Sequence, residues 1–279
     1  MVLFIKLQGE DSMVLDINVI IILAVTAIVS AIGFKKYVWF FSIGYGFSVA
    51  AIGTTLLILF IENLSLFNVI ACIVLILYGL RLGGFLAWRE FKNKTYSKKI
   101  GDEIKDGSKM NYGIKAMIWI CCFILYFLMC SPIIFRFMNG SKADGFLLVG
   151  IAIAIIGFLI EVIADAQKNN QKKENPNRFC DKGLYKIVRC PNYFGELVLW
   201  FGIYLSGVTI YNGALQWVIA TLGLIGIIYV MFSGTKRIET RQDKNYGEDE
   251  EYKEYIKRTP ILLPLIPIYS VKKHKWLVA

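Results

Sequence analysis

The chain has 279 residues, 56% of them apolar and 19% charged, with 31 Lys+Arg against 21 Asp+Glu and a net charge of +10. Soluble domains sit nearer roughly 45–50% apolar and 25% charged. This composition therefore excludes a disordered chain, a nucleic-acid-binding tail and an ordinary soluble enzyme.

The apolar residues gather in seven runs, at 16–34, 38–61, 66–88, 114–135, 145–163, 192–211 and 213–233. Each is close to the ~20 residues that cross a ~30 Å hydrocarbon core. Lipid offers no hydrogen-bond partners to the backbone, so runs of this length are predicted to be helices. The expectation is an all-α, multi-pass membrane protein of about seven spans. The first run lacks a basic lead and a small-residue cleavage site, and reads as a retained helix. Basic residues alternate along the segments between runs. Positions 35–36 hold 2, 62–65 none, 89–113 hold 7, 136–144 hold 2, 164–191 hold 7, 212 none and the tail from 234 holds 10. By the inside-positive bias this puts the N-terminus outside and the tail in the cytosol. The basic excess then needs no nucleic-acid partner, and lipid suffices. The tail reads as a helix from about 235 to 258. Pro260, Pro264 and Pro267 then break it into an apolar segment that hugs the interface.

Two halves are expected: residues 1–140, hydrophobic and on the substrate side, and 141–279, which hold most of the polar chemistry. Cys72, Cys121, Cys122 and Cys130 lie in apolar runs and act as small hydrophobes. Cys180 and Cys190 fall in a loop placed in the cytosol, where thiols stay reduced. With one histidine, His274, and no paired CxxC, no metal site is expected. The chain also shows no nucleotide-binding glycine fingerprint. It ends in no organelle-retention signal, which points to a bacterial plasma membrane.

Charged groups within a membrane are costly and mark functional sites by default. Arg81 lies late in the third run, Glu161 closes the fifth and Glu196 lies one turn inside the sixth. A long side chain such as that of Arg81 can reach the interface, whereas the short Glu196 carboxylate requires a donor, with Arg189 and Asn192 within two turns.

The stretch Gly183-Leu-Tyr185-Lys-Ile-Val-Arg189-Cys-Pro-Asn192-Tyr-Phe-Gly-Glu196, followed by Trp200, resembles the signature of the steroid 5-alpha-reductase-like membrane proteins. The closest likeness is to their bacterial and plant branch, catalogued as a domain of unknown function. Glu161-x-x-Ala-Asp165-x-Gln-Lys168, and Ser233-Gly234 through Tyr252-x-x-Tyr255-Ile-Lys-Arg258-Thr-Pro260, resemble that branch before the loop and in the tail.

The resemblance implies a bilayer-embedded oxidoreductase that uses NADPH on a hydrophobic, steroid- or isoprenoid-like double bond. Asn192 and Glu196 would hold the nicotinamide end. Asp165, with Lys168, Arg178, Tyr185 and Arg189, would hold the adenosine and phosphates, and Arg237 and Arg241 would close over them. An Asn–Glu pair matches a carboxamide's donor and acceptor, and Arg suits phosphates through its paired N–H groups. Relatives often carry His where Cys190 stands, so no proton transfer falls to an imidazole there. Their substrate-side acid and tyrosine have no matching motif in the N-terminal half. Tyr78, with Arg81 nearby, is the catalytic candidate by position, and Glu62 falls on the opposite side. Isoprenylcysteine carboxyl methyltransferases, which bind S-adenosylmethionine, share the Arg-x-Pro-x-Tyr-x-Gly turn and part of the tail. A non-catalytic protein of the same fold is the third reading.

Overall fold

The structure is a computed structural model that describes residues 16–92, 110–140 and 142–278. Much of the basic 89–113 loop lies outside the described residues, as does Lys6. Regular structure among the described residues is helical, and the chain divides into two compact units, residues 1–142 and 143–279.

The first unit holds α1 (Ile17–Ser30), α2 (Ile43–Leu59), α3 (Leu66–Lys92) and α4 (Tyr112–Met138), with short 3-10 turns at Ala31–Phe34 and Tyr37–Phe41 between α1 and α2. Asp16 caps α1, its carboxylate accepting from Asn18 N at 2.7 Å. Helices α2 and α3 touch backbone to backbone: a Cβ on Gly79 would lie 2.4 Å from the Gly46 carbonyl oxygen.

The second unit holds α5 (Gly145–Glu174), α6 (Pro191–Gly207), α7 (Gly213–Tyr246) and α8 (Glu250–Arg258). Its centre is the α5–α6 seam. Gly150, Ala154, Gly157 and Glu161 of α5 recur every three or four residues and so share one face. Opposite them stand Gly195, Leu199, Gly202 and Ser206 of α6. A Cβ on Gly157 would lie 2.3 Å from Leu199 N, and one on Gly202 2.5 Å from Ala154 N. In lipid, where apolar surface gives helices no reason to pair, close packing of small residues of this kind holds them together.

Six helical stretches among the described residues are long and apolar enough to cross a membrane: 17–34, 37–59, 66–92, 112–138, 145–174 and 213–246. Helix α6, in the place of the expected span over 192–211, has 17 residues, about 26 Å at 1.5 Å each. It stops at Gly207 because the chain tightens there, with Val208 N donating to Leu205 O at 3.2 Å and Ile210 N to Gly207 O at 3.0 Å. The expected tail helix over 235–258 is divided differently. Nothing between 233 and 235 breaks the preceding span, so α7 runs on for 34 residues to Tyr246. A turn at Gly247 follows, and Asp249 caps α8 by accepting from Glu251 N at 2.9 Å.

Candidate functional site

The loop between α5 and α6 is fastened to α5 by two glutamines one turn apart. Gln171 Oε1 accepts from Asp181 N at 3.1 Å and Lys182 N at 3.2 Å, and Gln167 Oε1 accepts from Leu184 N at 2.8 Å. Gly183 is required at the bend: its φ is +64°, and a Cβ there would lie 2.4 Å from Gln167 Oε1. The 3-10 turn that follows buries Tyr185 against Ala164 and Cys180. From α8, the Tyr255 hydroxyl donates to Tyr185 O at 2.7 Å. Phe179, Tyr252 and Tyr255 form the aromatic packing beneath.

Arg189, at the end of this loop, is 2% exposed. Its carboxylate partner is Glu239 of α7, with Nη2 donating to Oε1 at 3.3 Å and also to Tyr269 O. The sequence offered Glu196 as that partner. Helix α7 overrides the short-range choice because it carries Glu239, 3% exposed, to the loop. Glu239 Oε2 also accepts from Val271 N at 3.0 Å. One carboxylate thus joins loop, helix and tail. The Arg189 Nε and Nη1 donors and the Tyr185 hydroxyl are buried and make no hydrogen bond among the described residues.

Around this core lie most of the residues that the motifs singled out. Lys168 on α5 is half-buried, within electrostatic reach of Arg241 on α7 and of Asp165, Cys180 and Cys190. Asp165 also acts on Tyr185, whose phenol is held well above its ordinary range, first by burial and then by that carboxylate. Burial pushes the Cys190 thiol up to about 11 against the opposing pull of Arg189 and Lys168. Asn192 is half-buried on the first turn of α6, and Glu196, one turn on, is 5% exposed. Arg237 and Glu196 both act on the phenol of Tyr193, whose ring lies on Gly234 of α7; a Cβ there would sit 2.9 Å from Tyr193 Cε2. These residues make a lane of neighbouring side chains: Lys168 faces Arg241, and Cys190 links that pair to Tyr193, Arg237 and Glu196.

Two groups of predicted residues have settings of their own. Arg178 is drawn to the surface by Asp181, at 2.9 Å, and by Glu251 of α8, and lies over the Phe179 ring. Tyr78 and Arg81 belong to the first unit. Tyr78 is fully buried, and its hydroxyl shares a 2.9 Å hydrogen bond with the Tyr45 hydroxyl, whose ring stacks on Tyr126. Arg81 is half-buried, its guanidinium 5.7 Å over the Phe85 ring. Sequence reasoning gave no role to Tyr193 or Glu239. The signal for Glu239 was present: α7 buries Ile227, Met231, Thr235 and Glu239 in steps of four, so the inward stripe runs on past the apolar residues.

Lys168 and Arg241 face each other as like charges, and Arg189 Nε and Nη1 lie buried near the Tyr252 phenol.

The chain is similar to 3-oxo-5-alpha-steroid 4-dehydrogenase 1 of Rattus norvegicus, 26% identical over 121 residues, 43% of this chain and 41% of that protein. Steroid 5-alpha-reductase DET2 of Gossypium hirsutum is 25% identical over 122 residues, 43% and 42%. The Mus musculus 3-oxo-5-alpha-steroid 4-dehydrogenase 1 is 25% identical over 162 residues, 52% and 56%. The chain thus spans about half the length of these curated relatives. No solved structure matches it. Fold and motifs together define a multi-pass helical membrane protein of the steroid 5-alpha-reductase-like superfamily. Within it, the chain belongs to the family described as "Protein of unknown function (DUF1295)", which matches residues 25–259.

Proposed function

We propose that this protein is a membrane reductase that uses NADPH to saturate a carbon–carbon double bond in a hydrophobic, steroid- or isoprenoid-like molecule taken from the bilayer. The observation that carries the reading is the lane itself. Buried donors on Arg189, a facing Lys168–Arg241 pair and a buried carboxylate, Glu196, belong to it. The named relatives include reductases and dehydrogenases of steroids, which supports the reaction class.

In this reading Lys168, Arg189, Arg237 and Arg241 bind the phosphates, where charge-assisted hydrogen bonds are strongest. Asp165 and Tyr185 face the adenosine end. Asn192 and Glu196 orient the carboxamide, their i, i+4 spacing placing both on one helix face. Arg178 serves by anchoring the loop to α8. The nucleotide, when bound, would supply a hydride to one carbon of the double bond, with the proton for the other carbon coming from solvent.

The test is equilibrium binding to purified protein in lipid nanodiscs, with NADPH, NADH and S-adenosylmethionine as separate ligands. NADPH binds best, and Glu196→Gln, which keeps size and acceptor but removes charge, folds normally and loses about tenfold or more in affinity, the scale of one charged hydrogen bond. Binding of S-adenosylmethionine alone, or of none of the three, refutes the proposal.

A further inference from the structure

After Pro260 the chain forms a strap with an inner and an outer row. Ile261, Leu262, Val271 and Leu277 make up the inner row and are buried. The outer row is apolar too: Leu265 is 94% exposed, Val278 70% and Trp276 62%, with Ile266 and Tyr269 exposed beside them. Water does not favour so many exposed apolar side chains on one short segment, and exposed apolar surface of this kind marks an interaction site.

Hydrogen bonds to α7 fix the height of the strap. The Tyr229 hydroxyl donates to Trp276 O at 3.2 Å, and Lys236 Nζ donates to His274 O at 3.1 Å and Leu277 O at 2.9 Å. Tyr229 lies inside the apolar run that ends near 233, and Lys236 is the first cation beyond it. Residues 274–277 are therefore held level with the end of that run, where hydrocarbon gives way to headgroups. A Trp at this level is in its preferred setting. Lys272, Lys273 and Lys275 are exposed on the same stretch. Lys272 pairs with Asp243 of α7, while Lys273 and Lys275 flank the exposed segment next to Trp276.

We propose that the strap is a binding surface for anionic phospholipid. Leu265, Trp276 and Val278 enter the boundary between headgroups and acyl chains, and Lys273 and Lys275 meet the lipid phosphates. Cations close to an anionic leaflet are attracted to it, and an amphipathic surface adds apolar burial to that attraction. The strap's inner side makes lipid binding a means of regulation. Tyr269 O accepts from Arg189 Nη2, Val271 N donates to Glu239, Arg189 N donates to Pro260 O at 2.9 Å and Cys190 N to Ile261 O at 3.0 Å. A strap seated on lipid holds these bonds closed and so steadies the wall of the candidate nucleotide lane. The lipid contact stands by itself; the coupling rests on the proposed function.

Hydrogen exchange of the full chain tests both parts, in nanodiscs of phosphatidylcholine alone and of phosphatidylcholine with phosphatidylglycerol, without nucleotide. Anionic lipid should slow exchange over residues 269–277 by about tenfold, an effect lost at high salt. Lys273→Gln with Lys275→Gln should abolish the lipid dependence, and Leu265→Ser with Trp276→Ser should speed exchange in both lipids. Equal exchange in both compositions overturns the proposal. So does protection that follows the number of chains per disc, which would make the surface a contact between copies. So does an equal effect of free inorganic phosphate in neutral discs. NADPH affinity in the two lipids then reads the coupling: it should be several-fold higher with anionic lipid, and if exchange responds while affinity does not, the regulatory half is wrong. None of the exchange readouts depends on whether nucleotide binds.

Discussion

Consider Glu239→Leu. The substitution removes the carboxylate that faces the Arg189 guanidinium at 3.3 Å and accepts from Val271 N at 3.0 Å, at a position 3% exposed. Arg189, itself 2% exposed, is left as a buried charge with neutral groups for company, the Tyr269 carbonyl and the Tyr252 phenol. Breaking a buried pair from one side costs about 3–5 kcal/mol, and the stranded Val271 N–H adds about 1 kcal/mol or more. At roughly 2–4 °C per kcal/mol for a chain of this size, the apparent Tm should fall by about 10 °C or more. A thiol-reactive dye reads the transition, since Cys180 and Cys190 are free and buried beside the pair. Adding Arg189→Leu removes the stranded charge and should recover most of the loss, leaving the Val271 N–H as the residual cost. An unshifted Tm in the single variant, or a double variant no more stable than the single, would refute the reasoning.

The seam offers a sharper contrast. Gly157→Val should abolish folded, detergent-stable protein, because its Cβ would meet backbone at 2.3 Å, whereas Gly84→Ala, with nothing within 4 Å of the added carbon, should leave Tm unchanged by size-exclusion and thermal assays. Lys168→Gln and Arg241→Gln should each lower NADPH affinity by about tenfold while affecting NADH less; equal losses for both nucleotides would remove these residues from the phosphate. The Cys190 thiol, pushed from 9.0 to about 11, stays protonated where an unfolded chain's thiol ionises. Stability is therefore untouched well below pH 9 and falls as pH rises from 9 towards 11, by roughly 3 kcal/mol at most from this group. Alkylation of Cys190 in native protein at pH 8 should run about a hundredfold slower than in urea-unfolded chain, and equal rates would contradict the burial.

Most of the helices could be read from the chain because lipid leaves the backbone a single way to satisfy itself. The runs at 16–34, 66–88 and 114–135 end within a few residues of the observed apolar cores of α1, α3 and α4. What the runs hid was continuation. Helix α7 goes on for more than three turns past its last apolar residues, because Thr235 and Glu239 find protein to face where hydropathy reads only polarity. The same blindness concealed the partner of Arg189, which lies fifty positions away in the chain. The placing of Asn192 and Glu196 on one helix face was legible because an i, i+4 spacing is local. Tyr193 was not, since its role comes from Gly234 opening a place for its ring on another helix.

The glycine seam separates two things that most helix pairs bind together. Where side chains interdigitate, changing one residue alters both what a helix offers and how far away its neighbour stands. Along α5 and α6 the separation is set by main chain resting on main chain, at Gly150, Gly157, Gly195 and Gly202. The remaining faces of both helices can therefore be rewritten without moving either axis. A pocket bordered by such a pair can exchange one ligand's chemistry for another's by ordinary point substitution, while the Glu161 and Glu196 backbones keep their spacing.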